Sequence, residues 1–347
     1  MGGIWTSQNK IIPGLYCNFT TNAPLSITPG DRGTVVILQE CTVGAKGDVY
    51  TITALENDWP ELATSEDKLL AGFALDGANK VLVYNLGVTR DASAVNAALV
   101  ALKTTKFDVL CYPYDTAETD DTIKAAIEAW VTAMVEDEGV YIQAVLANYV
   151  ADNDFCINVV QGLVKGTTTY TAAQVTAWVA GITAGATVYQ SNTGKICTWA
   201  DDVSPRMTKS EMEAAITAGK FIFKVNNVGA VSCVYDINSL TTVTVEKGKM
   251  FTKNRCIRCV SGINNDVVEV FESNYKGKIN NNDTGRSLFK AALVDYFNEL
   301  QRLQAIQNFE PDDVVISAGN DTDAAIVDIA VQFVDAIEKV YMTVNLS

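Results

Sequence analysis

From residue 79 onward the spacing of apolar positions alternates between two periods. Lys80 to Leu86 is a nearly continuous apolar run and predicts a buried strand. Asp91 to Leu102 sets Ala92, Val95, Leu99 and Leu102 at helical spacing. Phe107 to Tyr112 reads as a strand again. Over Asp120 to Glu138, Ile123, Ile127, Trp130 and Met134 recur every three or four residues, the mark of an amphipathic helix. Val140 to Leu146 and Phe155 to Val160 predict strands, and Thr171 to Ile182 a helix. Strands apolar on both faces, separated by helical crossovers, are what a mostly parallel sheet requires. An α/β unit is therefore expected over 79–220.

The flanking segments follow another grammar. Thr34-Val-Val-Ile-Leu38 and Val49-Tyr-Thr-Ile-Thr53 are strand runs between turns at Pro29-Gly-Asp31 and Gly44-Ala-Lys-Gly47, which predicts a small β-rich unit over 23–78. Past 220, Phe221–Val225 and Val231–Tyr235 read as a hairpin. Lys253 to Asn274 is rich in strand formers, yet Ile257, Val260, Ile263, Val267, Phe271 and Tyr275 lie at helical spacing. The period outweighs the propensity and predicts a helix with Cys256 and Cys259 on its apolar face. Thr284 to Asn308 predicts a second long helix, capped by Asp283 or Thr284, with Phe289, Leu293, Tyr296, Leu300 and Leu303 in one stripe. Val314–Ser317 and Ile326–Gln332 are strands, and Val327, Ile329, Val331 and Phe333 share a side. An α+β unit is expected over 221–338.

Both chain ends are apolar and extended. Residues 1–22 carry the anchors Ile4, Trp5, Ile11, Ile12 and Leu15 around Pro13 and Gly14. At the other end, over 339–347, Val340, Met342, Val344 and Leu346 alternate with Tyr341, Thr343 and Asn345, a strand pattern with no later segment to pair with. Unpaired backbone and exposed apolar side chains both call for a partner outside the chain's own core.

Composition narrows the chemistry. Of 347 residues, 48% are hydrophobic, enough for real cores, so wholesale disorder is excluded. The net charge of −15 argues against binding nucleic acid and against docking on anionic lipid. No secretory signal is expected, because no basic stretch leads into an apolar run, and no apolar run is long enough to insert in a membrane. With no histidine, a Ser-His-Asp relay cannot be built, and the commonest metal ligand is missing. The dinucleotide fingerprint, the P-loop and the nucleophile elbow are all absent. The eight cysteines read as buried thiols of a reduced compartment, and Cys256-Ile-Arg-Cys259 has no second pair to complete a zinc site. No cofactor, metal or enzyme activity is expected. The acidic cluster Asp312, Asp313, Asp321 and Asp323 lacks calcium-loop spacing and reads as turn residues. A histidine-free hydrolase on the α/β unit is one rival reading, and a structural assembly protein of another kind is a second.

Several segments carry a resemblance. Gly2-Gly-Ile-Trp-Thr-Ser-Gln-Asn-Lys-Ile-Ile-Pro-Gly14, Thr241-Thr-Val-Thr-Val-Glu-Lys-Gly-Lys249 and Lys253-Asn-Arg-Cys-Ile-Arg258 are similar to contractile tail sheath proteins. So are Asn282-Asp-Thr-Gly-Arg-Ser-Leu-Phe289 and the ending from Val327 to Val344. The flavour is that of the sheaths of Gram-positive myophages, defective prophages and R-type bacteriocins, and it runs along nearly the whole chain. The family often has Pro where Phe333 stands. The resemblance implies a subtilisin-like α/β middle region without a catalytic triad, a small β-rich N-terminal insertion, an α+β C-terminal domain and extended β-arms at both ends. It implies a homo-oligomer of stacked six-subunit rings forming a helical sheath around an inner tail tube, with baseplate and tail terminator proteins as further partners. Assembly in the bacterial cytoplasm into a virion or bacteriocin tail goes with it.

The arms are expected to complete sheets in neighbouring subunits, the C-terminal one through Val340, Tyr341, Met342, Thr343 and Val344. Pro13, Gly14, Glu338 and Lys339 are the candidate hinges between arms and body. The polar side of the second long helix, with Lys290, Glu299 and Arg302, is the candidate tube-facing surface, against the plainer reading of a solvated face. Without a nucleotide motif, the energy of contraction is expected to reside in subunit interfaces.

Overall fold

In the computed structural model, which describes residues 27, 32–116 and 118–346, the first strand is already central. β1 (Thr34–Gln39) is buried along almost its whole length because it lies between two parallel neighbours, β3 (Lys80–Asn85) and β4 (Val109–Tyr112). β2 (Val49–Ile52) closes one edge antiparallel to β3. On the other side β5 (Gln143–Ala147), β6 (Cys156–Val159) and, after an intervening segment, the short β10 (Lys220–Phe221) continue the parallel array. The seven strands run in the order β10-β6-β5-β4-β1-β3-β2.

The alternation expected from residue 79 is present, but its boundary is not. β1 and β2, assigned above to a small β-rich unit at 23–78, are paired into the same sheet. That segment also contains a helix, α1 (Ser65–Leu75), opened by a capping box in which Thr64 and Asp67 exchange hydrogen bonds. Asp67 is buried because it also accepts from the amide and hydroxyl of Thr42, at 2.9 and 2.6 Å.

Successive strand residues face opposite layers. Val35, Ile37, Val81, Val83, Val109 and Cys111 pack under α1 and α4 (Ala172–Gly185). Val36, Leu38, Leu82, Leu110 and Tyr112 pack under α2 (Ala92–Leu102) and α3 (Glu118–Glu136). α2 starts at Asp91, whose carboxylate accepts from the Ala94 amide at 2.6 Å. α4 is apolar on nearly every side and buried at Ala173 and continuously from Val175 to Ala184, with only Gln174 between them partly exposed. It can approach α1 so closely because Gly181 and Gly185 face backbone: a Cβ on Gly181 would lie 2.1 Å from the Ala74 carbonyl oxygen.

Between β6 and β10 lie β7 (Gly162–Lys165), β8 (Thr168–Tyr170) and β9 (Asp202–Ser204), which form a small antiparallel sheet, and α5 (Lys209–Thr217). The expected hairpin is present as β11 (Phe223–Val225) and β12 (Val231–Cys233). Phe223, Val231 and Cys233 belong to the core beneath α1 and α4, so this hairpin joins the α/β body and does not begin the C-terminal unit at 221.

The C-terminal unit is built on two helices. α6 (Asn254–Val270) passes into a π-helical turn over Phe271–Tyr275, where Phe271 of the expected apolar stripe is exposed while Tyr275, its last member, is buried. α7 (Asp283–Arg302) is capped by Asn282 in place of the expected Asp283 or Thr284, and the Asn282 side chain accepts from the Gly285 amide at 2.8 Å. The helix stops at Arg302, short of Asn308, because Gln304 and Asn308 adopt left-handed backbone conformations. Leu293, Tyr296, Phe297 and Leu300 form the third core with Val314. β14 (Val314–Ala318) and β15 (Ala325–Ile329) make a two-stranded antiparallel ladder, and β13 (Ile306–Gln307) pairs with β16 (Gln332–Phe333). Val327, Ile329, Val331 and Phe333 all turn toward that core, as their spacing predicted. α6 serves two cores, since Ile257 reaches the layer under α2 and α3 and Cys259 reaches the third.

Candidate inter-subunit interface

The predicted C-terminal strand forms no strand within the protomer. After β16, the Val334 amide donates to the Ala305 carbonyl at 3.0 Å, and from there to residue 346 the described backbone has no ladder partner. Val340, Tyr341, Met342 and Val344 are exposed, Tyr341 at 93%. A β-branched, alternating segment laid out in water loses the burial that would favour it, unless something else covers it.

Its root is held. The Glu338 carboxylate accepts from Ser191 Oγ at 3.0 Å and from Thr193 Oγ1 at 2.5 Å, and it is paired with Lys253 Nζ. Lys253 also lies 3.4 Å from Asp335 and 4.0 Å from the centre of the Tyr235 ring. The ammonium is held protonated by Glu338, Tyr235 and Asp335 against the opposing effect of its burial. Beneath this cluster is a second one. Asp236 accepts from the Asn192 amide, Asn254 Nδ2 and Arg258 Nη2 at 2.8, 2.9 and 2.6 Å, and the Asp236 amide donates to Thr193 Oγ1 at 3.0 Å. Arg258 and Asp236 are both sealed from solvent. Sequence reasoning missed this junction entirely. Its members are spread over residues 190–258, and although Asn254 and Arg258 lie in the family-like segment Lys253–Arg258, nothing in that segment names their partner Asp236.

The link between β12 and α6 is stapled by one loop. Asp152, in a left-handed conformation, accepts from the amides and hydroxyls of Thr241 and Thr242 at 2.6–2.9 Å, and Lys247 pairs with Asp154 at 2.9 Å. Those hydrogen bonds hold the Asp152 carboxyl far below the usual carboxylate range.

Another polar cluster lies at the end of the large sheet. In an open α/β sheet, ligands enter beyond the C-terminal ends of the strands where the winding reverses, here between β1 and β4. That crevice is filled by Arg90, which donates to both oxygens of Asp120 at 2.9 and 2.8 Å and to Glu40 at 3.3 Å, and stacks on Tyr114 at 4.2 Å. Tyr112 Oη donates to Asp120 at 2.7 Å. Among the described residues no group of three or more His, Cys, Asp or Glu is placed to hold a metal ion. The described cysteines are buried and unbonded, and burial pushes the Cys256 and Cys259 thiols up to about 12. No helix among the described residues is long and apolar enough to cross a membrane.

Of the other residues singled out above, Ile4, Trp5, Ile11, Ile12, Leu15, Pro13 and Gly14 lie outside the described residues. Lys290, Glu299 and Arg302 are all on α7. Arg302 is exposed and donates to both carboxylate oxygens of Glu299 at 2.7 and 2.6 Å, while Lys290 stands apart and half-buried. Lys339 lies at the root, 5.5 Å from the Tyr235 ring.

Comparisons with known proteins bear on the whole chain. The phage tail sheath protein central domain matches residues 89–239, and the phage tail sheath C-terminal domain matches 246–347. The Bacillus subtilis protein YqbK is 33% identical over 98% of this chain and 76% of its own length. The crystal structure of a sheath tail protein from Desulfitobacterium hafniense superposes with a TM-score of 0.82 at 29% identity, covering 95% of this chain and 99% of the other. The anti-feeding prophage helical sheath in its contracted state shares the fold, with a TM-score of 0.74 at 14% identity over 97% and 100% of the two chains. Two sheath domains matched in order, with identity sustained along the length of a relative and a multidomain α/β architecture to accompany it, make this chain a member of the phage tail sheath family.

Proposed function

We propose that this protein is the structural subunit of a contractile tail sheath, polymerising around an inner tube and shortening to drive that tube through a bacterial envelope. The observation that carries the reading is the C-terminal segment: alternating, strand-forming, exposed from Val340 onward, and without a backbone partner in its own protomer. Strand addition to a neighbour supplies the missing hydrogen bonds and covers Val340, Met342 and Val344. The β14–β15 ladder suits the acceptor role. It is only two strands wide, its outer face carries the exposed Val315 and Ile326, and its inner face is fixed on the third core by Val314. An arm given to the next copy is a head-to-tail contact, which makes rings where its rotation closes and an open helical filament where it does not.

In this reading the rings are six-membered, the N-terminal arm with Ile4, Trp5, Ile11, Ile12 and Leu15 makes the complementary link, and Pro13, Gly14 and Lys339 are the pivots. The middle region is a subtilisin-like scaffold without its chemistry. The tube faces the α7 side near Lys290, Glu299 and Arg302, and baseplate and terminator proteins cap the ends. The assembly is completed in the bacterial cytoplasm. Deletion of Lys339–Ser347 tests the core of the proposal. A folded body that forms no tubes by electron microscopy is expected. Ordered sheaths from the truncated chain refute the arm mechanism.

A further inference from the structure

We infer that Glu338 is a clamp that locks the root of the C-terminal arm to the seam between the two sheath domains, so that tension in the arm enters the body through one carboxylate and swivelling begins only at Lys339. The inference rests on the arm reading above and assigns Glu338 a role opposite to that of a hinge.

The last main-chain bond before the arm is the one from Val334 to Ala305. Between it and the exposed segment no helix or strand fixes the path, and Ala336 bonds only to the side chain of Asp335. What fixes the path is Glu338, whose side chain is 7% exposed although its neighbour Ile337 is 90% exposed. Its partners come from both matched domains: Ser191 and Thr193 from the central one, Lys253 from the C-terminal one. A carboxylate buried to this degree persists only because those partners replace its hydration.

The clamp is also continuous with the deeper junction. Thr193 Oγ1 donates to Glu338 and accepts from the Asp236 amide, and Asp236 binds Asn254 and Arg258 on α6. A pull on the arm is therefore delivered to the 191–193 loop and to α6 together, the two parts that must move as one if the body moves rigidly. Polar bonds of this kind suit the task, being short-ranged and directional, so they are stiff until they break.

Trypsin cleavage after Lys339 in the unassembled full-length chain reads the clamp without reference to assembly. Glu338→Ala is expected to raise the cleavage rate at that bond about tenfold, with cleavage elsewhere unchanged, because local opening there controls access. Glu338→Gln, which keeps the hydroxyl contacts and loses the charge, is expected to fall between the two. Ser191→Ala combined with Thr193→Val, which removes two of the partners and leaves the sequence around the scissile bond unchanged, is expected to raise cleavage there as well. In electron micrographs Glu338→Ala is expected to give short or irregular sheaths. Cleavage within twofold of wild type, or normal sheaths from Glu338→Ala despite faster cleavage, overturns the clamp. Should the Lys339–Ser347 deletion still assemble, the arm reading fails instead; should that deletion abolish sheaths while Glu338→Ala behaves as wild type, only the clamp fails.

Discussion

Removing the Asp236 carboxylate is the sharpest perturbation this fold offers. Asp236 and Arg258 are 1% and 0% exposed, joined at 2.6 Å, and the same carboxylate satisfies the Asn192 amide and Asn254 Nδ2. Asp236→Ala leaves the guanidinium buried with the Gln190 carbonyl, at 2.6 Å, as its remaining acceptor. Stranding one member of a buried ion pair costs roughly 3–5 kcal/mol. An unfolding entropy of about 2.1 cal/mol/K per residue amounts to roughly 0.7 kcal/mol/K for a cooperative unit of this size. The melting temperature should therefore fall by about 4–7 °C, measured by scanning calorimetry on the unassembled protein at neutral pH. Adding Arg258→Met removes the orphaned cation and should recover part of the loss, since an apolar replacement of the same volume carries no desolvation penalty. A shift below about 1 °C, or a double variant less stable than Asp236→Ala, would show that this junction is not held by its charges.

Two further expectations concern the body. Gly181→Ala should destabilise by about 1–3 kcal/mol or more, read as a lowered denaturation midpoint, because the new methyl meets the Ala74 carbonyl and α1 and α4 must part; an unchanged midpoint would mean that the helices are not in backbone contact. The Asp152 carboxyl titrates lower in the folded chain than in the unfolded one, so its contribution is complete above the unfolded carboxylate pKa of about 4 and is lost as pH falls through the folded value. The melting-temperature gap between wild type and Asp152→Asn should accordingly be widest near neutrality and shrink below about pH 4. A gap that grows on acidification contradicts the assignment.

Local pattern determined much of this protein. Strand runs such as Lys80–Leu86 and helical stripes such as Ile123, Ile127, Trp130 and Met134 lie where their periods placed them, because side-chain periodicity and burial are the same fact seen twice. The helical period of Lys253–Asn274 also prevailed over its β-rich composition, although α6 is buried on all sides from Asn254 to Cys259 and Val260, Ile263 and Val267 of the predicted stripe are only partly buried. The alternating C-terminal segment and its lack of a partner were equally legible. Partition into units was not. Thr34-Val-Val-Ile-Leu38 looks the same whether it sits in a small separate sheet or at the centre of a large one, and only pairing with β3 and β4, from residues far along the chain, decided between them. α1 was hidden by a neighbourhood rich in strands, although Thr64 and Asp67 already spelled its cap. The clamp at Glu338 and the pair beneath it belong wholly to tertiary structure. Ser191, Thr193 and Asp236 carry no signal in the sequence, Lys253 and Arg258 stand out only as part of a family-like segment and Glu338 only as a hinge candidate, and they become a site because folding brings them together largely out of solvent, where each charge must find its partner.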